Sequence, residues 1–483
     1  MHERSHQNDS LQQTWQIPAY INGACYTSIE DQTIIAIDGR ELGKLSQVPL
    51  IKTHEITARV ADTFYGMRNI PSRRIIAGFK RVAALLREEN WRFADLNRES
   101  YYRVVSAATG FPKASMPGEV EEIATILDNI ESIIRVQLPG DIEQTLDHNR
   151  FDVPGNQVGY YPAGKNLLVK IPGNVPSIVS YWLVPLALKI PVILIPPPEE
   201  PFTHWLLWQA IHFADPELSR YLQFLPCQHA VWSALLSKVE RIMLPESSQH
   251  EIVNNALLRT KTHIIHHGRS KLLIVGDWTE EGVGTAYRRM LWNHGRTCTG
   301  LTSVILSADA DGFCWRLAQR IAATFPAGIE QNLGSLPLFP TLKAHTINDS
   351  IEKYMAEGMA EDITAVVGAR PRLLEQENYA MFLPTVIWVK QPDCGIFGLE
   401  LPFPFVTVTS ATCENDLLRL ARDSLIVSVM GDCETFLEKI CFEGSIKKVF
   451  SGAFVERGYN YLDPHEGYMA DFLYTKKAVA GPV

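Results

Sequence analysis

Leu167-Leu168-Val169-Lys170-Ile171-Pro172-Gly173-Asn174-Val175-Pro176 decides how this chain is read. Leu167–Lys170 is a short strand, and it runs into a turn in which Asn174 is pinned between two prolines. A helix follows at Ser177–Leu188 and a second strand at Val192–Ile195. Strand, turn, helix and strand make a βα unit, and repeats of it build a parallel sheet covered by helices. The rhythm continues with a helix at Phe202–Phe213, a strand at Ile242–Leu244, a helix through Ala256 and a strand at Leu272–Val275. The second half repeats it, with strands at Ser303–Leu306 and Phe405–Thr409 and helices at Trp315–Phe325 and Asp416–Arg422. The fold class is α/β, with two Rossmann-like halves.

Upstream, Ser72 opens a helix with Ile75, Phe79, Val82 and Leu86 on one face, and Val120, Ile123, Leu127, Ile130 and Ile134 mark another. Val136–Pro162 carries Pro139-Gly140 and Pro154-Gly155 among alternating apolar residues and reads as a β-ribbon. Met1–Gln13 is polar, has no apolar core, and reads as a flexible extension rather than a secretory signal.

The chain has 483 residues and a net charge of -9, which gives no electrostatic case for nucleic acid. Its longest apolar runs, such as Pro191–Pro198, are too short and proline-rich to span a bilayer. Eight scattered cysteines without a C-x-x-C pair argue for a reducing cytoplasm and against a disulfide framework. No metal site is expected. His266 and His267 are adjacent, and adjacent residues of a strand face opposite ways.

A second run carries the chemistry: Asn293-His294-Gly295-Arg296-Thr297-Cys298-Thr299-Gly300, followed by a strand. A thiol there can attack a carbonyl carbon, and the Asn174 amide can donate to the oxyanion that develops. Arg296 and His294 lie close in sequence, and positive charge favours thiolate. The plainer readings are a buried apolar cysteine and an asparagine capping the helix near Ser177.

These runs, in this order, resemble the aldehyde dehydrogenase superfamily. Thr109-Gly110-Phe111-Pro112 is similar to its "TGKP", Lys170–Pro176 to its "PWNFP" turn, and Gly295–Cys298 to "GQxC". Phe382–Thr385 is similar to "FxPT", Leu399–Pro402 to "EEIF", and Tyr474–Lys477 to "YTxxK". Within the superfamily the chain is more similar to the acyl-CoA and acyl-protein thioester reductases, typified by the fatty-acid reductase subunit of bacterial bioluminescence. Gly173 stands where most members have Trp, Glu200-Pro201-Phe202-Thr203 resembles "DPFT", and His465–Met469 resembles "HDGM".

The resemblance implies a cofactor, NADPH or NADH, and a division of roles. Cys298 would carry the acyl group, with Asn174 and its own N–H as oxyanion donors. Ile171, Pro172, Gly173, Ile195 and Ser247 would line the cofactor, and Glu400 would hold the nicotinamide ribose or else be a solvated carboxylate. His266 falls where oxidising members carry the Glu of "LELGG", which activates water. Without it, exchange with a thiol becomes the productive route, although His266 is equally readable as a base or a structural histidine. Ile195 falls where the family has the Lys of "KPS", so a charged contact is lost. Glu246-Ser247 replaces the pyrophosphate glycines, although the helix after it would still offer its N-terminus.

The expected organisation is a cofactor-binding domain over 14–135 and 163–270, a catalytic domain over 271–450 with the thiol in the cleft between the two, and an oligomerisation unit over 136–162 and 451–483. Partners would be an acyl-CoA or acyl-carrier thioester, an acyl-transferring protein, and further copies of the chain in a homodimer or homotetramer. The leading activity is reduction of an acyl thioester to an aldehyde. Its rivals are aldehyde oxidation, a cysteine-dependent acyltransferase or thioesterase, and a non-catalytic interaction subunit.

Overall fold

The computed structural model describes residues 14–93, 96–154, 156–431, 434–452 and 460–479. The extension over 1–13 lies outside them. The chain divides into two compact units. One takes in residues up to Thr109, Ser115–Ile265 and those from Tyr468 onward, and the other takes in Gly110–Ala114 and His266–Gly467.

The first unit is built on a seven-stranded sheet. Its strands are β1 (Ala19–Ile21), β2 (Ala24–Tyr26), β3 (Leu167–Lys170), β4 (Val192–Ile195), β5 (Leu222–Phe224), β6 (Arg241–Pro245) and β7 (Thr262–Ile265), in the order β7-β6-β3-β4-β5-β1-β2. Strands β3 to β7 are mutually parallel. Chain order reverses between β3 and β6. In open α/β sheets a ligand crevice is expected at such a switch point, outside the carboxyl ends of the strands.

Three helices matter for that edge. These are α1 (Ser180–Ala187) after β3, α2 (His229–Leu236) after β5, and α3 (His250–Val253) after β6. The helix expected from Ser177 begins at Ser180, and Val179, not Asn174, is its N-cap. The Ser177 N–H is taken instead by the Glu119 carboxylate, at 3.0 Å. The helix expected through Ala256 breaks after one turn, because the Asn255 side chain accepts from Leu257 and Leu258 and starts a new one. Ile195 is 3% exposed and packs with Leu168, Ile193, Ile242 and Leu244 in the apolar core.

The ribbon is shorter than expected. Strands Arg150–Val153 and Asn156–Pro162 pair antiparallel, and Tyr474–Ala478 adds a third strand. The stretch Glu143–Asp147 is instead a π-helical turn.

In the second unit, a seven-stranded sheet is formed by β8 (Ser270–Ile274), β9 (Leu301–Leu306), β10 (Ala360–Asp362), β11 (Thr385–Val389), β12 (Phe405–Ser410), β13 (Ser424–Met430) and β14 (Ile446–Ser451), in the order β10-β11-β12-β9-β8-β13-β14. All but β10 are parallel to their neighbours. Side chains alternate between faces with period two. Leu272 and Ile274 therefore pack with Phe313, Leu317 and Ile321 of the helix Ala310–Thr324, and Leu273 packs with Leu417, Leu420 and Phe436 on the other face. Each such fully buried Leu or Ile contributes about 1.5–3 kcal/mol.

Candidate functional site

In the second unit the sequence around Cys298 is shaped by backbone. Asn293, His294 and Gly295 have φ of 44°, 55° and 73°, three left-handed residues in a row. Gly295 is required there, since a Cβ on it would lie 2.4 Å from the Phe403 carbonyl carbon. Backbone held this far from its preferred region is typical of sites whose geometry matters more than local stability.

Cys298 then sits just before β9, and the chain before β8 closes on it. A Cβ at Gly268 would lie 1.6 Å from the Cys298 carbonyl oxygen, so only glycine permits this approach. Ser270 Oγ donates to the same oxygen at 3.0 Å. The Leu425 N–H, at the start of β13, donates to the Gly268 oxygen at 2.7 Å. The thiol therefore stands at the amino-terminal edge of the central strands.

Its electrostatics differ from the sequence expectation. Arg296 turns away: Nε donates to the Pro402 oxygen at 3.1 Å, and the guanidinium lies over the Phe339 ring, 5.0 Å from its centre. His294 Nδ1 donates to the Ser335 oxygen at 3.1 Å, its ring packs edge-on against Phe111, and burial pulls its pKa to about 4, so it is neutral. Neither supplies the positive charge that proximity in sequence implied. Burial, then the carboxylates of Glu400 and Glu466, pushes the Cys298 thiol up to about 12, against smaller lowering effects from Thr297 and Lys448.

The group that meets the thiol is His465, with Nε2 3.4 Å from Sγ. It is 167 residues away, and spacing gave no reason to join the two. In sequence the His465-Glu466-Gly467 run carries a family resemblance and no sign of a contact with the thiol.

His266 and His267 are exposed and lie beyond the end of β7, so the opposite-faces argument does not apply to them. The His266 N–H donates to Glu466 at 2.9 Å. Glu466 thus holds a carboxylate against the His266 backbone. Glu400 Oε2 accepts from the Gly268 N–H at 2.7 Å and lies 3.9 Å from His267 Nδ1. In this unit Glu400 therefore anchors the Gly268 turn.

The carboxyl edge of the first sheet holds a different set. Lys170, the last residue of β3, places Nζ 3.0 Å from Ser248 Oγ and 4.3 Å from the centre of the Trp232 ring. The pair lies at the switch point between β3 and β6. Ile171 is buried, its N–H donating to the Ile195 oxygen at 3.2 Å. Gly173 approaches Pro197 closely: a Cβ on it would meet Pro197 Cβ at 3.0 Å. Asn174 is half-buried in the turn after Pro172. Ser247 is exposed, and its neighbour Ser248 is the buried hydroxyl that meets Lys170. The helix after Glu246-Ser247 is a single turn, too short to offer the N-terminal anion site expected of it. Glu200-Pro201-Phe202-Thr203 proves to be a local cap, since Glu200 accepts from the Thr203 N–H at 2.8 Å and hydroxyl at 3.1 Å.

The model of the aldehyde dehydrogenase family matches residues 30–426. The chain belongs to this family of oxidoreductases. Among solved structures, this aldehyde dehydrogenase family member is similar to 3,6-anhydro-L-galactose dehydrogenase, with 16% identity over 96% of this chain and 99% of that one and a TM-score of 0.76. It is similar to an E. coli NADP-dependent enzyme, with 16% identity over 96% and 97% and a TM-score of 0.76. It is also similar to the P. syringae indole-3-acetaldehyde dehydrogenase AldA, with 15% identity over 95% of each and a TM-score of 0.77. At these identities the likeness establishes the fold. No curated protein matches the chain in sequence. Among the described residues, no helix is long and apolar enough to cross a membrane.

Proposed function

We propose that this aldehyde dehydrogenase family member reduces an acyl thioester to an aldehyde through an acyl-cysteine on Cys298. The observation that carries the reading is the contact of Cys298 Sγ with His465 Nε2 in a pocket that keeps the thiol protonated. A thiol pushed up to about 12 is a poor nucleophile at neutral pH, and a base in contact with it removes that barrier only as attack proceeds. Sγ passes its proton to His465, which must be neutral to accept it, and bonds to the acyl carbon. The bond from that carbon to the thiol of CoA or a carrier breaks, and the departing sulfur takes the proton from His465. The Cys298 N–H and the Asn174 amide are proposed, on the resemblance, as donors to the intermediate oxyanion.

The carboxyl edge of the first sheet fits a phosphate-bearing dinucleotide. Lys170 and Ser248 there form a cation–hydroxyl pair suited to a phosphate oxygen. Ile171, Pro172 and Gly173 would lie along it, and the charge that Ile195 does not supply would come from Lys170. The solved relatives include an NADP-dependent enzyme and one in complex with NAD+. When bound, NADPH or NADH would supply the hydride; the bond from the acyl carbon to Cys298 Sγ then breaks, releasing the aldehyde, and the sulfur takes up a proton. The ribose role of Glu400 rests on the resemblance.

A second reading, oxidation of an aldehyde, is favoured by Glu466 and Glu400, whose charge is felt at the thiol, since a carboxylate near an acyl-cysteine would activate water. A panel of acyl-CoA thioesters with NADH and NADPH, scored by aldehyde formation and by mass shift of the protein, separates the two. The proposal expects acylation of the wild type and none of Cys298→Ala. Acid formation from aldehydes with no acylation by thioesters would overturn it. A free thiol suits the reducing cytoplasm, and the ribbon edges suit pairing between copies of the chain. A monomer in light scattering would refute the pairing.

A further inference from the structure

Two histidines and a glutamate meet on the first unit, beside the Lys170–Ser248 pair on the same edge of its sheet. His229 is the first residue of α2, and His250 and Glu251 are the first two of α3. Their ligand atoms all lie within 4.8 Å of one another. Glu251 Oε1 contacts His229 Nε2, and His250 Nε2 is 3.1 Å from the same oxygen. We propose that His229, His250 and Glu251 form a site for a divalent transition-metal ion of the zinc class, with solvent completing the shell.

The donor set fits the ion. Two imidazole nitrogens and a carboxylate oxygen make a three-ligand zinc shell, with metal–ligand distances of about 2.0–2.2 Å and one open position. The imidazoles have room to move onto an ion, their side chains being 63% and 70% exposed, whereas Glu251 is 14% exposed and held. The outer shell is also present. Ser233 Oγ donates to the other carboxylate oxygen of Glu251 at 3.2 Å. The His229 ring packs edge-on against Trp232 at 5.0 Å, which fixes its plane. Such partners orient ligands and tune affinity.

The fold gives the ion something to do. The helix α3 is one turn of four residues, and isolated turns do not hold themselves. An ion shared by His229, His250 and Glu251 pins that turn to the start of α2. Trp232 is on α2, with the Lys170 ammonium over its ring, so the pinned turn borders the proposed dinucleotide crevice. The sequence did not show the site because two ligands are adjacent and the third lies 21 residues upstream, a spacing that matches no ligand motif.

The test uses the whole protein stripped of metal with a chelator, then titrated with Co2+ and with Zn2+. One equivalent should bind and raise the melting temperature, with Co2+ giving visible d–d absorption but no sulfur-to-metal charge transfer. Ser233→Ala should weaken binding by about 10- to 100-fold, as loss of an outer-shell partner does. His229→Gln, His250→Gln or Glu251→Gln should each weaken it further and remove the metal-induced rise in melting temperature. All four positions are at or near the surface, and matching circular dichroism would show that the variants fold. Wild-type affinity in all three ligand variants, thiolate charge transfer on Co2+ binding, or no binding by the wild type would each overturn the assignment.

Discussion

The two sheets present chemistry on opposite edges. In the first unit, Lys170 and Ser248 stand at the carboxyl ends of β3 and β6, where loops leave the sheet and parallel folds usually take their ligands. In the second unit, Cys298 stands at the amino ends of β8 and β9, held by the close approach of the Gly268 backbone and by the Ser270 hydroxyl on its carbonyl oxygen, while the Leu425 N–H holds Gly268 in turn. The carboxyl edge is built from side chains, with the Lys170 ammonium on the Ser248 hydroxyl and over the Trp232 ring. The amino edge is built largely from main chain, which leaves little room for exchange. A site gripping a phosphate needs charge in the right region, whereas one forming a covalent bond needs the nucleophile fixed to a fraction of an ångström.

Substitutions at the two edges should therefore differ in kind. The largest effect is expected at Gly268. Gly268→Ala puts a Cβ 1.6 Å from a carbonyl oxygen, and a loss of ~4 kcal/mol or more by denaturant unfolding is expected. Gly173→Ala meets a proline carbon at 3.0 Å and should cost about 1 kcal/mol. Equal losses would erase the contrast.

His465→Asn should lower the rate of acylation by roughly 10²–10⁴ in stopped flow while the protein melts normally. A rate within twofold of wild type would remove His465 from the proton path.

Lys170→Met, at the other edge, should weaken dinucleotide binding by about 10- to 100-fold in calorimetry without touching thiol acylation. Ile195→Lys, which the sequence alone would offer as a gain in binding, should instead destabilise the protein, because Ile195 is core.

Glu466→Gln should have the smallest effect, raising Cys298 alkylation at pH 8 by about tenfold through a lower thiol pKa. Sign and window follow from the raised value. The thiol stabilises the fold below its ordinary pKa near 9, and that contribution is lost as pH rises through about 12. Cys298→Ser should accordingly lose less stability than wild type across that window. Alkylation of wild type that is already maximal at pH 8 would mean the thiol is not held protonated.

The strands were legible because runs such as Leu167–Lys170 and Ser303–Leu306 are apolar on both faces, as doubly covered parallel strands must be. Cys298, Asn174 and Glu400 stood out because their local runs carry the family resemblance. What stayed hidden depends on tertiary direction. Arg296 is two residues from the thiol, yet three left-handed residues upstream aim its side chain at Pro402 and Phe339. His465 reaches the sulfur only through folding, and no pattern in sequence encodes a separation of 167 residues. The break after α3 turned on one Asn255 side chain, a local competition that apolar periodicity does not register.

A sulfur kept as a thiol by burial and by the charge of two carboxylates also has a chemical lifetime. Peroxide and disulfides react with thiolate, and their attack slows as that form becomes scarce. At neutral pH the Cys298 pocket holds the scarce form to a minute fraction. At neutral pH the sulfur should therefore outlast the exposed Cys25, Cys413 and Cys441 under oxidative stress.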